Sequence, residues 1–401
     1  MIDSLDQIFV SLKHWLVGLT PEAWQPLVSI LVSIVPIMAL FGTCFAATTI
    51  FERKILGRAQ NRLGPNRVRA FGVKTFGLLQ PIADGIKMLT KEDIVPFAAD
   101  KVVHFLAPVV LTTPAWMLFS VIPLGRNMAA IDLDAGILFF FAVGSASELA
   151  VFMAGWSSKN KYSLVGSMRA IAQMISYEVP LVLSTIPVLM LAGTLSPSQV
   201  VEAQGVGTGF FAHWFVFTPW GLSGFVVFLI AATAESNRSP FDLPEAESEI
   251  IAGFLTEYSG FKYALFFLGE YIGLFAVAGM AVTLFLGGWQ APCKALEFIP
   301  SYLWFFGKFA ALIVFFIWVR ATLPRLRLDQ LLALAWRFLV PLALINLVVA
   351  ALWHFMGSWQ FIAAMPVRWG ICAMLVVLPF VWFARLLNGG KLAPRKYRYA
   401  E

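Results

Sequence analysis

Nine apolar runs, each long enough to cross about 30 Å of hydrocarbon, limit what this chain can fold into. They cover Leu27–Phe51, Val102–Leu124, Ala135–Trp156, Ala170–Gly193, Trp220–Ser236, Tyr263–Gly288, Tyr302–Arg320, Phe338–Met356 and Pro366–Leu387. Charge or Gly/Pro punctuation brackets each run, and none alternates apolar and polar residues, so helices fit and a barrel does not. The expected fold is an all-α polytopic membrane protein of nine transmembrane helices, with an amphipathic surface helix and long loops on the cytoplasmic side. Composition agrees: 59% of the 401 residues are apolar and 13% charged, against roughly 45–50% and 25% in soluble domains. So little charge cannot coat a water-exposed surface, which excludes a soluble enzyme. Residues 1–26 are too polar for a signal core and lack a basic start, so they read as an N-terminal surface segment and not a cleaved leader.

The net charge of +6 speaks of topology and not of nucleic acid. When loops are assigned alternately to two sides, one side collects 24 basic residues, ten of them between the first two runs. The other side has only Lys13, Arg126, Lys294 and Arg368, and Lys308 lies inside the seventh run. The excess of Lys and Arg marks the cytoplasm, which puts the N-terminus in the periplasm and the C-terminus in the cytoplasm.

Two cytoplasmic connections, of about 50 and 26 residues, are longer than packed helices need, and such loops are usually functional. In the first, Leu79, Ile82, Ile86 and Leu89 share one helical face while Gln80, Asp84, Lys87 and Lys91 share the opposite one. This helix is too short to span and is expected at the membrane surface, either resting on headgroups or helping to frame a binding site. The second connection holds Glu235, Asp242, Glu245, Glu247, Glu249 and Glu257 against Arg238 and Lys262, with Glu270 just beyond. Crowded carboxylates compete for protons and are candidate proton carriers. The alternative is a solvated acidic loop, although interleaved Phe241, Leu243, Ile250, Ile251 and Phe254 would be odd on a wet surface.

Glu148, Glu178 and Glu270 fall inside apolar runs, at roughly 2.5–3.5 kcal/mol each on insertion scales. Each lies seven or eight residues from the cytoplasmic end of its run, or about 10–12 Å deep. Three carboxylates at one depth suggest a buried acidic row that continues to the Glu235–Glu257 loop, with Gln173, Tyr177 and Tyr271 close by in sequence. The competing reading is structural acids paired with a base. The three cysteines are scattered, the four histidines sit too far apart for a haem, and no GxGxxG or Walker loop occurs. No disulfide, zinc, haem, flavin or iron–sulfur cluster is expected in this chain, so redox power would come from a partner.

Three motifs carry a resemblance: Glu52-Arg-Lys-Ile-Leu-Gly-Arg-Ala-Gln-Asn-Arg-Leu-Gly-Pro-Asn66, Gly77-Leu-Leu-Gln-Pro-Ile-Ala-Asp-Gly-Ile-Lys87 and Pro240-Phe-Asp-Leu-Pro-Glu-Ala-Glu-Ser-Glu249. Together with Ser176-Tyr-Glu-Val-Pro180 they closely resemble the H subunit (mitochondrial subunit 1) of the proton-pumping NADH:quinone oxidoreductase, respiratory complex I, across residues 27–356. The resemblance implies an oxidoreductase subunit in the bacterial inner membrane, with a quinone (ubiquinone or menaquinone) as substrate. Its partners would be the peripheral-arm quinone-module subunits, the adjacent small membrane subunits and lipid, with no nucleic acid. By the same resemblance Glu52, Arg53, Arg62, Arg67, Gln80, Asp84, Lys87, Arg238, Phe241, Asp242 and Phe267 would frame the quinone chamber. Glu148, Glu178, Glu235, Glu245, Glu247, Glu249, Glu257 and Glu270 would form the path from quinone chemistry to the proton-pumping subunits.

Three regions follow: the surface segment 1–26, an eight-helix core 27–356, and an added helix with a basic tail, 357–401. The chain departs from the family where Arg69–Phe76 intervene before Gly77, and in its ninth run. The nearest rival is the homologous component of a membrane-bound hydrogenase or of a ferredoxin- or F420-dependent complex, which the fully retained motifs disfavour. A secondary transporter would show repeated halves, and the Pro-Phe-Asp loop has no second copy. A passive anchor for the peripheral arm would not need intramembrane acids.

Overall fold

The computed structural model of the protein describes residues 6–70, 73–205, 212–243, 252–357 and 365–388. A short helix α1 (Ile8–Gly18) leads into α2 (Gln25–Ala59), whose exposed apolar outer half lies at the edge of the bundle. After it come a two-stranded hairpin, β1 (Arg69–Ala70) and β2 (Val73–Lys74), and the surface helix α3 (Gln80–Thr90). The membrane helices continue with α4 (Lys101–Met117), the pair α5 (Gly136–Gly144) and α6 (Ala146–Ser157), and α7 (Lys161–Ala192). Then follow the short α8 (Pro197–Ala203), α9 (Pro219–Glu235), α10 (Gly260–Phe285) and α11 (Ser301–Thr322). The chain closes with α12 (Leu328–Leu334), a π turn (Ala335–Leu339), α13 (Val340–Met356) and α14 (Met365–Asn388).

Among the described residues, eight helical stretches are long and apolar enough to cross a membrane; two shorter apolar helices remain, α1 and α9, and α9, of 17 residues, occupies the fifth apolar run. Their ends obey local chemistry. Asp100 accepts hydrogen bonds from the amides of Val102 and Val103 to start α4, and Asn160 does the same for Tyr162 in α7. Gly193, at φ 69°, ends α7 in the left-handed conformation that glycine adopts without a Cβ penalty. α10 is buried around its whole circumference from Leu274 to Phe285, the mark of a helix at the centre of a bundle. α7 packs along α6, α9 and α13, while α4 lies against α6 and α10.

Several boundaries differ from the apolar runs. α2 continues past Phe51 to Ala59 and α7 begins at Lys161, nine residues before the run at Ala170. Hydropathy reports where apolar side chains stop, whereas helical hydrogen bonding carries on into charged sequence. The third run is not one helix: it breaks at Ser145, where Gly144 and Ser145 form the small-residue pair at which helices kink. The eighth run begins inside the π turn and continues as the unbroken α13. In the Arg69–Phe76 departure the described residues pair antiparallel, Arg69 with Lys74 and Ala70 with Val73. Gly77 closes it at φ 85°, so near the Pro65 carbonyl that a Cβ would lie 2.2 Å from that oxygen. Lys308, inside the seventh run, is tied to the C-terminal end of a neighbouring helix. Its Nζ donates to the carbonyls of Leu286, Gly288 and Gln290, capping the end of α10, and sits 4.0 Å from the Trp214 ring centre.

Candidate functional site

Two groups of polar side chains meet beside the turn that follows α9. The first centres on the buried carboxylate of Glu52, on the charged extension of α2. Arg320 from α11 donates to its Oε1, Tyr271 from α10 donates to Oε2, and an Arg238 guanidinium nitrogen lies 4.0 Å from Oε1. Arg238 stacks on the Tyr271 ring at 3.8 Å, and Phe267 and Phe45 pack edge-on against the same ring. Two arginines around one carboxylate leave a net positive site, tolerable at low exposure because each guanidinium has a planar partner. The loop carrying Arg238 is held from two sides. Arg325 Nη2 donates to Asp242 Oδ2 at 3.0 Å, and the Leu326 amide donates to the Pro240 carbonyl at 3.0 Å.

Next to this group opens a cleft of about 1030 Å³, lined by Arg53, Arg62, Leu63, Gly64, Pro65, Asn66, Arg67 and Gln80. Arg53 bridges α2 to α3 through Asp84 at 2.6 Å, and Gln80 donates to the other Asp84 oxygen at 3.0 Å. The polar face of α3 therefore turns toward α2 while Ile82, Ile86 and Leu89 are exposed. Lys87, also exposed, does not line the cleft.

The second group is acidic. Glu148 stands in the first turn of α6, just after the break at Ser145, and its carboxyl lies beside that of Glu178 on α7, close enough to feel its charge. Glu235, at the end of α9, is close enough to feel the charge of both. Its Oε1 would lie 3.9 Å from a Cβ on Gly144, so it faces the same break. Glu235 and Glu270 together line a cavity of about 60 Å³ with Ser147, Asn237 and Met174. That is room for several waters. Glu235 Oε2 is buried without a protein partner among the described residues; the cavity is lined mostly by apolar side chains, with Glu235, Glu270, Ser147, Ser236 and Asn237 as its polar groups, and water held by these groups is the means by which such an atom is satisfied. Pro180 deprives the Ser176 carbonyl of its helical donor, in the turn that carries Glu178.

Of the expected acids, the structure thus gathers Glu148, Glu178, Glu235 and Glu270. It keeps Glu257 apart: that carboxylate accepts from Asn160 Nδ2 at 2.7 Å, beside Tyr258, whose hydroxyl is pushed up to about 12 by burial. Glu245, Glu247 and Glu249 lie outside the described residues. The expected chamber residues divide between the Glu52 group (with Arg238 and Phe267), the cleft (Arg53, Arg62, Arg67, Gln80, with Asp84 behind it) and the Phe241–Asp242 loop. In the sequence Arg320 and Arg325 count only as topology signals, because their partners sit far away along the chain and carry no local signature. Gln173 stands out there only for its position, yet its amide bonds the Arg238 loop at both ends.

Known proteins match most of the chain. A family model described as NADH dehydrogenase matches residues 32–351. The H subunit of NADH-quinone oxidoreductase from Dehalococcoides mccartyi strain CBDB1 is 52% identical over 321 residues, covering 79% of this chain and 86% of that protein. The same subunit from D. mccartyi strain ATCC BAA-2266 is 46% identical over 364 residues, covering 90% and 97%. That of Bacillus cytotoxicus is 48% identical over 301 residues, covering 75% and 86%.

Proposed function

The chain belongs to the NADH dehydrogenase family, among the H subunits of NADH-quinone oxidoreductase (complex I), and from that premise we propose that it walls a quinone site and passes the consequence of quinone reduction into the membrane as proton movement. The observation that carries this reading is the adjacency of the two groups. Arg238, in the cationic group, lies three residues from Glu235, in the acidic one. Charge created on a bound quinone near Arg238 would act on carboxyls a short distance away, and a low-dielectric interior magnifies such an effect. Two carboxyls this close are easier to hold with one shared proton than with two charges, so the Glu148–Glu178 pair is where a proton would be taken up and released. Water in the 60 Å³ cavity would join Glu235 to Glu270, with Glu235 as the link to the pair.

The quinone headgroup would enter by the cleft between α2 and α3, where the exposed Ile82, Ile86 and Leu89 give an isoprenoid tail an apolar threshold at the bilayer boundary. Quinone reaches this chain as substrate, and electrons reach it from the peripheral arm. The cytoplasmic side of the bacterial inner membrane would carry the cleft and the C-terminus. Residues 27–356 would act as the core, flanked by the surface segment 1–26 and the added helix region 357–401. The relatives' names favour the quinone-reducing branch over the hydrogenase-type rival.

Glu178→Gln and Glu148→Gln test the proposal in the assembled complex in membrane vesicles. Both should cut proton pumping and coupled quinone reduction while artificial-acceptor NADH oxidation and assembly stay intact, and Asp at the same positions should do less damage. Normal pumping by the Gln variants would make the acids structural. A quinone photolabel should cross-link to the Arg53–Arg67 cleft or to α3, and failure to label either would remove the entry route.

A further inference from the structure

Gln173 is a fully buried amide on α7, five residues before Glu178. Its Nε2 donates to the Ala234 carbonyl at 2.7 Å and to the Phe241 carbonyl at 2.8 Å, with Asn237 Oδ1 at 3.3 Å. All three partners are oxygens, which fixes the amide orientation. Ala234 is in the last turn of α9, where helix carbonyls lack intrahelical donors; Phe241 follows the turn. One side chain therefore clamps both ends of the segment that holds Arg238 between them. Arg238 in turn faces Glu52 and Tyr271, and Asn237 lines the cavity shared by Glu235 and Glu270. An apolar helix of this kind has no packing need for an amide here, and an isosteric methionine would fill the same space.

We propose that Gln173 is a positioning residue: it registers the Ala234–Phe241 turn on α7, so that Arg238 at the quinone site and Glu178 in the acidic row move as one unit. The proposal rests on the quinone and proton reading above and adds to it the part that joins the two groups. Without the amide, the Ala234 and Phe241 carbonyls keep only backbone donors from within their own segment, Asn237 N–H at 3.3 Å and Leu243 N–H at 3.0 Å, so these two ties of the turn to α7 are gone and it is free to shift relative to Glu178. The quinone site and the acidic row would then each survive, with their coupling weakened.

The test compares Gln173→Met, Gln173→Glu and Glu178→Gln in the assembled complex in membrane vesicles. Gln173→Met should assemble and oxidise NADH with an artificial acceptor normally. Its quinone kcat should fall roughly tenfold, with KM changed far less and fewer protons moved per quinone reduced. Gln173→Glu offers a donor only when protonated, so its quinone turnover relative to the unaltered complex should rise as pH is lowered from about 8 to about 6. A residue that only fills space would show no such pH-dependent rescue. Unchanged kcat and pumping in Gln173→Met, or loss of assembly, overturns the proposal. If Glu178→Gln disrupts pumping while Gln173→Met does not, the clamp alone is wrong; if both are silent, the proton reading itself fails.

Discussion

Arg320 on α11 and Glu52 on α2 form an ion pair that ties two helices distant in sequence to one carboxylate. The same carboxylate accepts from Tyr271 and faces Arg238 at 4.0 Å. Removing either partner therefore has unequal consequences. Glu52→Ala leaves two guanidiniums without their shared counter-charge, and breaking a buried pair this way costs about 3–5 kcal/mol. Arg320→Ala leaves Glu52 with Arg238 and Tyr271, and the Arg320 side chain is itself 28% exposed, so the loss should stay near or below about 1.5–3 kcal/mol. Thermal inactivation of the solubilised complex should rank Glu52→Ala below Arg320→Ala. The reverse order would mean that the cluster is not organised around Glu52.

Much of this arrangement is legible in the sequence, though by a different route at different residues. The membrane helices follow from apolar runs because burial in hydrocarbon demands them. The acidic row also emerges, but not because the run ends mark its depth. α7 begins nine residues earlier than its run and the third run is broken at Ser145, yet Glu148 and Glu178 still meet. What brings them together is the cost of an intramembrane carboxylate, which drives such groups toward one another and toward water wherever the helices start. Arg320 and Gln173 escape a sequence reading for the converse reason: each acts through a partner more than 60 residues away, and no local pattern encodes that. Glu257 is near the row in sequence, whereas the fold turns it toward Asn160.

Close helix packing depends on small residues at particular contacts. A Cβ at Gly166 on α7 would lie 2.7 Å from the Gly253 Cα, which is backbone and cannot rotate away. Gly166→Ala should push the Gly253–Leu255 turn off α7 and destabilise by about 1–3 kcal/mol. Gly42, in α2, has nothing within 4 Å, so Gly42→Ala should be neutral or slightly stabilising, as alanine favours a helix. Parallel thermal inactivation curves check the contrast, and equal effects at the two positions would refute it.

The proposed topology puts Asn66 in the cytoplasm and Glu202 in the periplasm. Both are exposed, so each can carry a single reporter thiol once Cys44, Cys293 and Cys372 are replaced. An impermeant maleimide added to right-side-out vesicles should label Glu202→Cys and leave Asn66→Cys unmodified until the membrane is opened. Labelling in the opposite pattern would invert the orientation and move the cleft to the outer face.

Glu235 and Glu257 offer the sharpest separation within the acidic loop. Both are loop-side carboxylates of the same charge, and composition alone assigns them the same role. Their surroundings differ. Glu235 feels the charge of Glu148 and Glu178 and borders the cavity that Glu270 also lines. Glu257 is held by the Asn160 amide, next to the Tyr258–Ser157 contact at 3.3 Å. A glutamine at 235 preserves shape but cannot exchange a proton, so Glu235→Gln should cut proton pumping and coupled quinone reduction by at least about tenfold. A glutamine at 257 can still accept the Asn160 hydrogen bond through its carbonyl, so Glu257→Gln should pump within about twofold of the unaltered complex. The measurement is proton uptake per quinone reduced in vesicles, normalised to artificial-acceptor activity. Equal losses at both positions would show that the whole loop acts through its net charge, and that the grouping of Glu235 with Glu148, Glu178 and Glu270 has no special part in coupling.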